Sequence, residues 1–281
     1  MKLVTWNTQS CRGLDGQVSP ARVVREAQAL ADFDVLCLQE IAVNYPALSD
    51  TSAADQPAAL AALLPGFRVF FGAAVEEFAA DGTARRFGNL VATRLPVAQV
   101  QHHPLPYPAD SGVSSIPRMC TVVTVTAPGL GPLRVMTTHL EFYSRPQRLA
   151  QARALPALHM EYRAQAEAPP LPIEDGSPFG PKMHAAEALL CGDFNLQPDT
   201  PEYAALTEPF AGGAWHDVWR LLHRARPHDP TFCVHEQLYL PQPVAFDFVF
   251  ASDGLAGRVR RIEVDGRTRA SDHQPVLVEL D

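Results

Sequence analysis

Along this chain, short apolar runs rich in Val, Phe, Leu and Thr alternate with breaks of Gly, Pro, Asp and Asn. KLVTW, DVLCLQE, RVFFG, NLVATR, CTVVTVT, RVMTTHL, ALLCGDF, FDFVFAS and PVLVEL have the length and the β-branched or aromatic content of strands. Between some of them the period changes. Ser19 is placed to cap a helix that Pro20 opens, with apolar positions at Val23, Val24, Ala27 and Leu30. A second helix starts near Ser144 and Arg145 and runs through QRLAQARALPALHMEYRAQ, with Pro156 as a kink point. Shorter helices are expected at 201–210 and 215–224. The stretch 168–182 is rich in Pro and Gly and reads as a surface loop, with a lid as its candidate role. With no repeat of fixed period, the pattern predicts one α/β domain over 1–281, two sheets packed face to face with helices outside.

The ends of these strands carry polar residues that packing alone does not call for. Asn7 closes the first run and Glu40 the second, His139 stands near the end of RVMTTHL, and Asp193 and Asn195 leave ALLCGDFN two residues apart. Strand alternation predicts that the last two point the same way. Asp247 sits within the aromatic run FDFVF, where an unpartnered carboxylate is costly, and Asp272 and His273 open the final strand. Carboxylates at neighbouring strand ends repel one another unless a cation joins them. Oxygen donors without cysteine favour Mg²⁺ or Mn²⁺ over zinc. Two histidines beside them suit a phosphate oxygen.

Composition narrows the setting. The chain has 281 residues, 47% hydrophobic, with no apolar run near the roughly 18 needed to cross a bilayer. The start, MKLVTWN, reads as a strand and lacks the features of a signal peptide, so a cytoplasmic location is expected. Five cysteines without CxxC spacing fit a reducing compartment, with Cys37 and Cys191 acting as small hydrophobes. A formal net charge of −8 disfavours tight non-specific binding to nucleic acid.

WN at 6–7, LQE at 38–40, GNLVATRLPV at 88–97, THL at 138–140, GDFN at 192–195, FDFVF at 246–250 and SDHQP at 271–275 occur in one order along the chain. In that order they resemble the endonuclease/exonuclease/phosphatase superfamily, from Trp6 to Pro275. The resemblance implies a four-layered α/β sandwich with mixed sheets and one cleft. It implies Glu40 as principal metal ligand, with Asn7 and Asp272 completing the site. Asp193 would orient or deprotonate the attacking water, Asn195 would hold water or phosphate, His273 would contact phosphate under the control of Asp247, and His139 would bind another phosphate oxygen. Whether Asp193 or His273 is the base stays open.

Gln9 stands where abasic-site endonucleases carry Asp, and His139 where they carry Tyr; the histidine resembles pancreatic-type deoxyribonucleases and sphingomyelinase-like enzymes. The motifs of inositol-polyphosphate phosphatases are missing. A Mg²⁺- or Mn²⁺-dependent phosphodiesterase, acting as a monomer on a small-molecule or lipid-derived phosphate ester, is the favoured reading. A DNA or RNA nuclease with the same site is the second and a silent binding domain the third. Arg86 and Arg118 are further candidates to clamp phosphate. His102 and His103 read as loop surface, Trp215 and Trp219 as helix packing, and His235–Glu236 lacks a second ligand.

Overall fold

The structure is a computed structural model that describes residues 1–48, 54–211 and 213–281. In chain order the elements are β1 (Lys2–Asn7), α1 (Pro20–Leu30), β2 (Val35–Val43), α2 (Gln56–Leu63), β3 (Arg68–Phe78), β4 (Ala84–Thr93), β5 (Val97–Pro104), β6 (Met119–Ala127), β7 (Gly131–His139), α3 (Arg145–Glu167), β8 (Ala188–Asp193), α4 (Pro201–Thr207), β9 (His216–Asp217), α5 (Val218–His223), β10 (Asp247–Ala251), α6 (Asp253–Ala256), β11 (Val259–Val264) and β12 (Val276–Leu280). They form two six-stranded sheets, ordered β11-β12-β1-β2-β4-β3 and β5-β6-β7-β8-β10-β9.

Each sheet is mixed for the same reason. A helical crossover returns the chain to the end where it began, so α1 makes β1 and β2 parallel, and α3 does the same for β7 and β8. The remaining neighbours are antiparallel, among them β12 beside β1 and β10 beside β8. The carboxyl ends of β1, β2, β7 and β8 therefore share an end of their sheets with the amino ends of β10 and β12. Every strand-end polar residue singled out above, Arg86 and Arg118 aside, belongs to one of these ends.

Leu3, Val35, Cys37, Val91, Val135, Leu189, Cys191, Val249 and Val278 fill the space between the sheets. The outer face of the first sheet packs Val4, Leu36 and Leu38 against Val23, Ala27 and Leu60 of α1 and α2. The outer face of the second packs Met136, Leu190 and Phe250 against Ala152, Leu155 and Leu206 of α3 and α4. The result is an α/β sandwich, helix, sheet, sheet, helix. All five cysteines are free and buried.

The caps behave as their residue types dictate. Ser19 accepts from the Arg22 amide and Ser144 from the Gln147 amide. Pro156 lies buried inside α3. Residues 215–224 split instead into β9 and α5, because Asp217 caps a helix that begins only at Val218. Trp215 consequently lies outside that helix, and both tryptophans are core. His102 and His103 are not loop surface: they belong to β5, and His103 Nε2 lies 2.7 Å from the Tyr162 hydroxyl.

The lid reading of 168–182 fails. Helix α3 starts beyond His139 and carries the chain about 34 Å along its 23 residues. The segment after it leads to the amino end of β8, opposite Asp193, and there Met183, Ala185 and Ala186 contact Gln99 and Arg134.

Candidate active site

Two segments leave their strands in ways that aim their side chains. In β2 the pairing with β4 slips between Leu38 and Ile41, and Glu40 in this bulge takes a left-handed φ of 59°. Gln39 points into the intersheet layer and donates to Thr137 Oγ1 at 2.8 Å, while Glu40 turns toward the Asn7 side chain and stays half-buried. In the GDFN segment, Gly192 is left-handed and pressed so close to the Thr138 carbonyl that a Cβ would collide with it. Asn195 is also left-handed, φ 50°, with its backbone N–H donating to Asp193 Oδ1 at 2.9 Å. Asp193 and Asn195 thus reach one site through an Asx turn, not through strand alternation.

The amide of Asn7 lies between two carboxylates, its Nδ2 being 3.0 Å from Glu40 Oε1 and 2.9 Å from Asp193 Oδ2. Gln9 donates to Asp272 Oδ2 at 2.9 Å. His273 Nδ1 lies 2.8 Å from Asp247 Oδ2, and its Nε2 faces Asp193 Oδ2 at 3.6 Å. His139 Nε2 is 3.4 Å from Asp193 Oδ2 and accepts from Asn195 Nδ2 at 3.0 Å. Seven expected residues, together with the half-buried Glu40, are thereby brought to one place. Arg118 is buried behind them, donating to Glu141 at 3.2 Å within electrostatic reach of Glu40 and His139. Arg86 is not gathered in: it lies opposite Val43, exposed, and pairs with Glu76 at 2.7 Å.

Electrostatics separates the two histidines. Burial alone would push His273 down, but the carboxylates of Asp247 and Asp193 outweigh it and hold the imidazole up at about 10. His139 falls well below its ordinary value through burial and the positive charges of Arg118 and His273. Burial raises Asp193 to about 7, helped by Asp247 and opposed by His273 and the Asn7 amide. Glu40 is raised by burial and by the charge of Asp272.

Two groups offer donors to a metal. Glu40, Asp272 and the Asn7 side chain present hard oxygens around repelling charges, a set that fits a hard divalent ion. Asp193, Asp247 and His273 place one ligand atom each within 4.8 Å of one another. In this trio, however, Nδ1 of His273 is hydrogen-bonded to Asp247, and an imidazole held near 10 keeps both protons and has no lone pair to give.

Sequence reasoning missed several supports. Thr231 Oγ1 accepts from the backbone of Phe246 and Asp247, and the Phe232 ring lies 4.5 Å from that of His273. Ser271 donates to the Asn7 carbonyl at 2.8 Å and accepts from the His273 amide. Ser271 opens the recognised SDHQP motif and Gln9 follows WN closely, which is a usable signal; Thr231 and Phe232 lie in a segment without one.

The model of the Endonuclease/Exonuclease/phosphatase family matches residues 4–273. The chain belongs to that family. Members of the endonuclease/exonuclease/phosphatase family with solved structures share its fold. One from Beutenbergia cavernae is 23% identical, with 99% of this chain and 70% of that one covered at a TM-score of 0.68. A mannosyl-6-phosphatase from Bacteroides thetaiotaomicron is 18% identical, covering 100% and 99%, at 0.70. The human nocturnin catalytic domain with bound sulfate is 15% identical, covering 100% and 93%, at 0.65. No curated protein matches the chain in sequence.

Proposed function

We propose that this protein is a divalent-metal-dependent phosphodiesterase acting on small-molecule or lipid-derived phosphate esters. The observation that carries the reading is the line Asp247–His273–Asp193 meeting the group Asn7–Glu40–Asp272, a proton-bearing cation beside an acidic cradle. Glu40 and Asp272, with Asn7, would hold Mg²⁺ or Mn²⁺. When bound, such an ion neutralises phosphate charge and lowers the pKa of a coordinated water.

The chain's own groups divide the remaining work. Asp247 fixes the ring of His273 and keeps it charged, so its Nε2 proton is directed at a phosphate oxygen where negative charge grows. Asp193, raised to about 7, is partly ionised at neutral pH and takes the proton of the water that attacks phosphorus. As the P–O bond to that water forms, the bond to the leaving alkoxide breaks. Asn195 holds His139 toward the hollow, and the depressed pKa of His139 keeps it neutral there. The family and its phosphatase relative support ester hydrolysis in general, and the net charge of −8 supports a small substrate over a polynucleotide.

The test is a panel of bis(p-nitrophenyl) phosphate, phosphomonoesters, lysophospholipid diesters and nucleic acids assayed with Mg²⁺ or Mn²⁺. Diester turnover that EDTA abolishes and either metal restores is expected. A monoester-only profile, or metal-independent turnover, refutes the reading. DNA binding that falls steeply with salt, accompanied by strand cleavage, replaces it with a nuclease.

A further inference from the structure

A cleft of about 540 Å³ is lined in part by Gln197, two residues beyond Asn195, and Ala245, two residues before Asp247, so the segments that carry the site continue into its wall. Its wall gathers Arg220, Arg224 and Arg226 against one lining carboxylate, Asp199, in a chain whose net charge is −8. A larger cavity of about 630 Å³ elsewhere sets Arg22, Arg267 and Arg269 against Asp15, Glu26 and Glu236 and so has no such bias.

The three arginines are not equivalent. Arg220 lies over the Tyr203 ring at 5.1 Å and donates to Asp199 at 3.0 Å; Arg226 lies over Trp219 at 5.2 Å and donates to Asp229 at 2.7 Å. Ring contacts of this kind hold a guanidinium plane in place and leave an edge for another acceptor. The Arg224 side chain makes no hydrogen bond or ion pair with any described residue. Its backbone is strained, φ 56° and ψ −117° at the end of α5, a conformation that costs a residue with a Cβ. Glycine would sit there at ease. His228 lines the cleft and also a narrow crevice whose wall includes Asp247.

We infer that this cleft binds a second phosphate of the substrate, with Arg224 as the group that reads it. The inference rests on the phosphodiesterase reading and deepens it: the substrate carries one phosphoryl group to be cut and another, not cut, a short way along. Guanidinium suits this task because its paired N–H donors match phosphate oxygens. The second phosphate is either a terminal monoester on a small molecule or the next diester of a strand.

The test compares thymidine 5′-(p-nitrophenyl phosphate) with the same compound bearing a 3′-phosphate, and with one whose 3′-phosphate is esterified to a further nucleoside. Wild-type protein with Mg²⁺ is expected to favour a doubly phosphorylated substrate about tenfold or more in kcat/KM, through KM. Preference for the free 3′-phosphate alone assigns the terminal source; preference for both admits the strand. Arg224→Gln should erase the preference while leaving the singly phosphorylated ester unchanged, and Arg224→Gly, which suits the backbone, should do the same if the glutamine variant misfolds.

No preference in the wild type, or one that survives both substitutions, overturns the inference. A separate titration with inorganic pyrophosphate in EDTA reads the cleft without turnover, since the acidic catalytic group repels an anion when no metal is present. Binding weakened at least about tenfold by Arg224→Gln is expected, and no binding, or equal binding, overturns the cleft assignment. Failure of all three esters to react, with pyrophosphate still bound, condemns the hydrolase reading instead.

Discussion

His159 and His273 are both almost fully buried, at 1% and 4% exposure, and titrate in opposite directions. His159 lies at the end of the sandwich away from the candidate site. Its Nδ1 accepts from Arg134 at 2.8 Å, and burial together with that positive neighbour pushes it down to about 3. His273 has carboxylates on both sides and rises to about 10. Equal burial gives a neutral ring in one place and a cation in the other, so the sign of the nearest charge decides.

Arg134, wholly buried, is met by the carbonyls of Ala185 and Ala186 and by the face of Tyr162 at 4.6 Å. Its group is close to saturated. The candidate site is not: Asp247 Oδ1 is buried without a hydrogen-bond partner among the described residues, and Glu40 and Asp272 repel each other. Saturated polar clusters hold a fold, and unsaturated ones wait for something to bind.

The largest effect on the proposed hydrolysis should follow from removing the His273 cation or the carboxylates beside it. His273→Ala, Asp247→Asn and Asp193→Asn are each expected to lower diester kcat by about 10²–10⁴-fold, with far-UV circular dichroism unchanged. Full activity in all three would dissolve the contrast with His159. Next, Arg134→Met leaves two carbonyls short of a donor and should destabilise by about 2 kcal/mol in urea melts, while kcat/KM of the folded protein stays within twofold.

A third effect is one of pH. An unfolded histidine binds its proton below about 6.5, His159 in the fold only below about 3, so the unfolded chain holds more protons in between and stability falls as pH drops through that window. The loss attributable to His159 by pH 5 is about 2 kcal/mol, and His159→Gln should remove it. For His273 the folded pKa is the higher one, so its contribution is present below about 6.5 and lost as pH rises toward 10. Metal-free His273→Gln protein should show a flatter alkaline limb. Least of all, trimming 171–180 should leave kcat and KM within twofold, since that loop lies at the end away from the site; a shifted KM would bring back the lid.

Much of this was legible in the sequence because it is local. Asn7, Glu40, Asp193 and His273 stand beside strands whose apolar runs declare themselves, and Asp247 betrays itself by being charged among phenylalanines. What escaped depends on chain direction and strain. The alternation argument for Asp193 and Asn195 ignored the Asx turn, and the lid reading ignored that a crossover helix delivers its loop to the opposite end. β5 and β11 went unread because QVQHHP and RVRRIEV mix polar with apolar residues at the edges of their sheets. Arg86 precedes a motif in sequence, yet in β4 it lies opposite Val43, beyond the bulge at Glu40, and pairs with Glu76 in solvent.

The bulge at Glu40 sets the proposed metal site against robustness. A carboxylate is kept where the main chain prefers glycine, so Glu40→Gly should abolish the proposed hydrolysis and yet stabilise the fold by about 1 kcal/mol. A lineage released from the need to hydrolyse would be expected to drift toward glycine there, and to become sturdier as it falls silent.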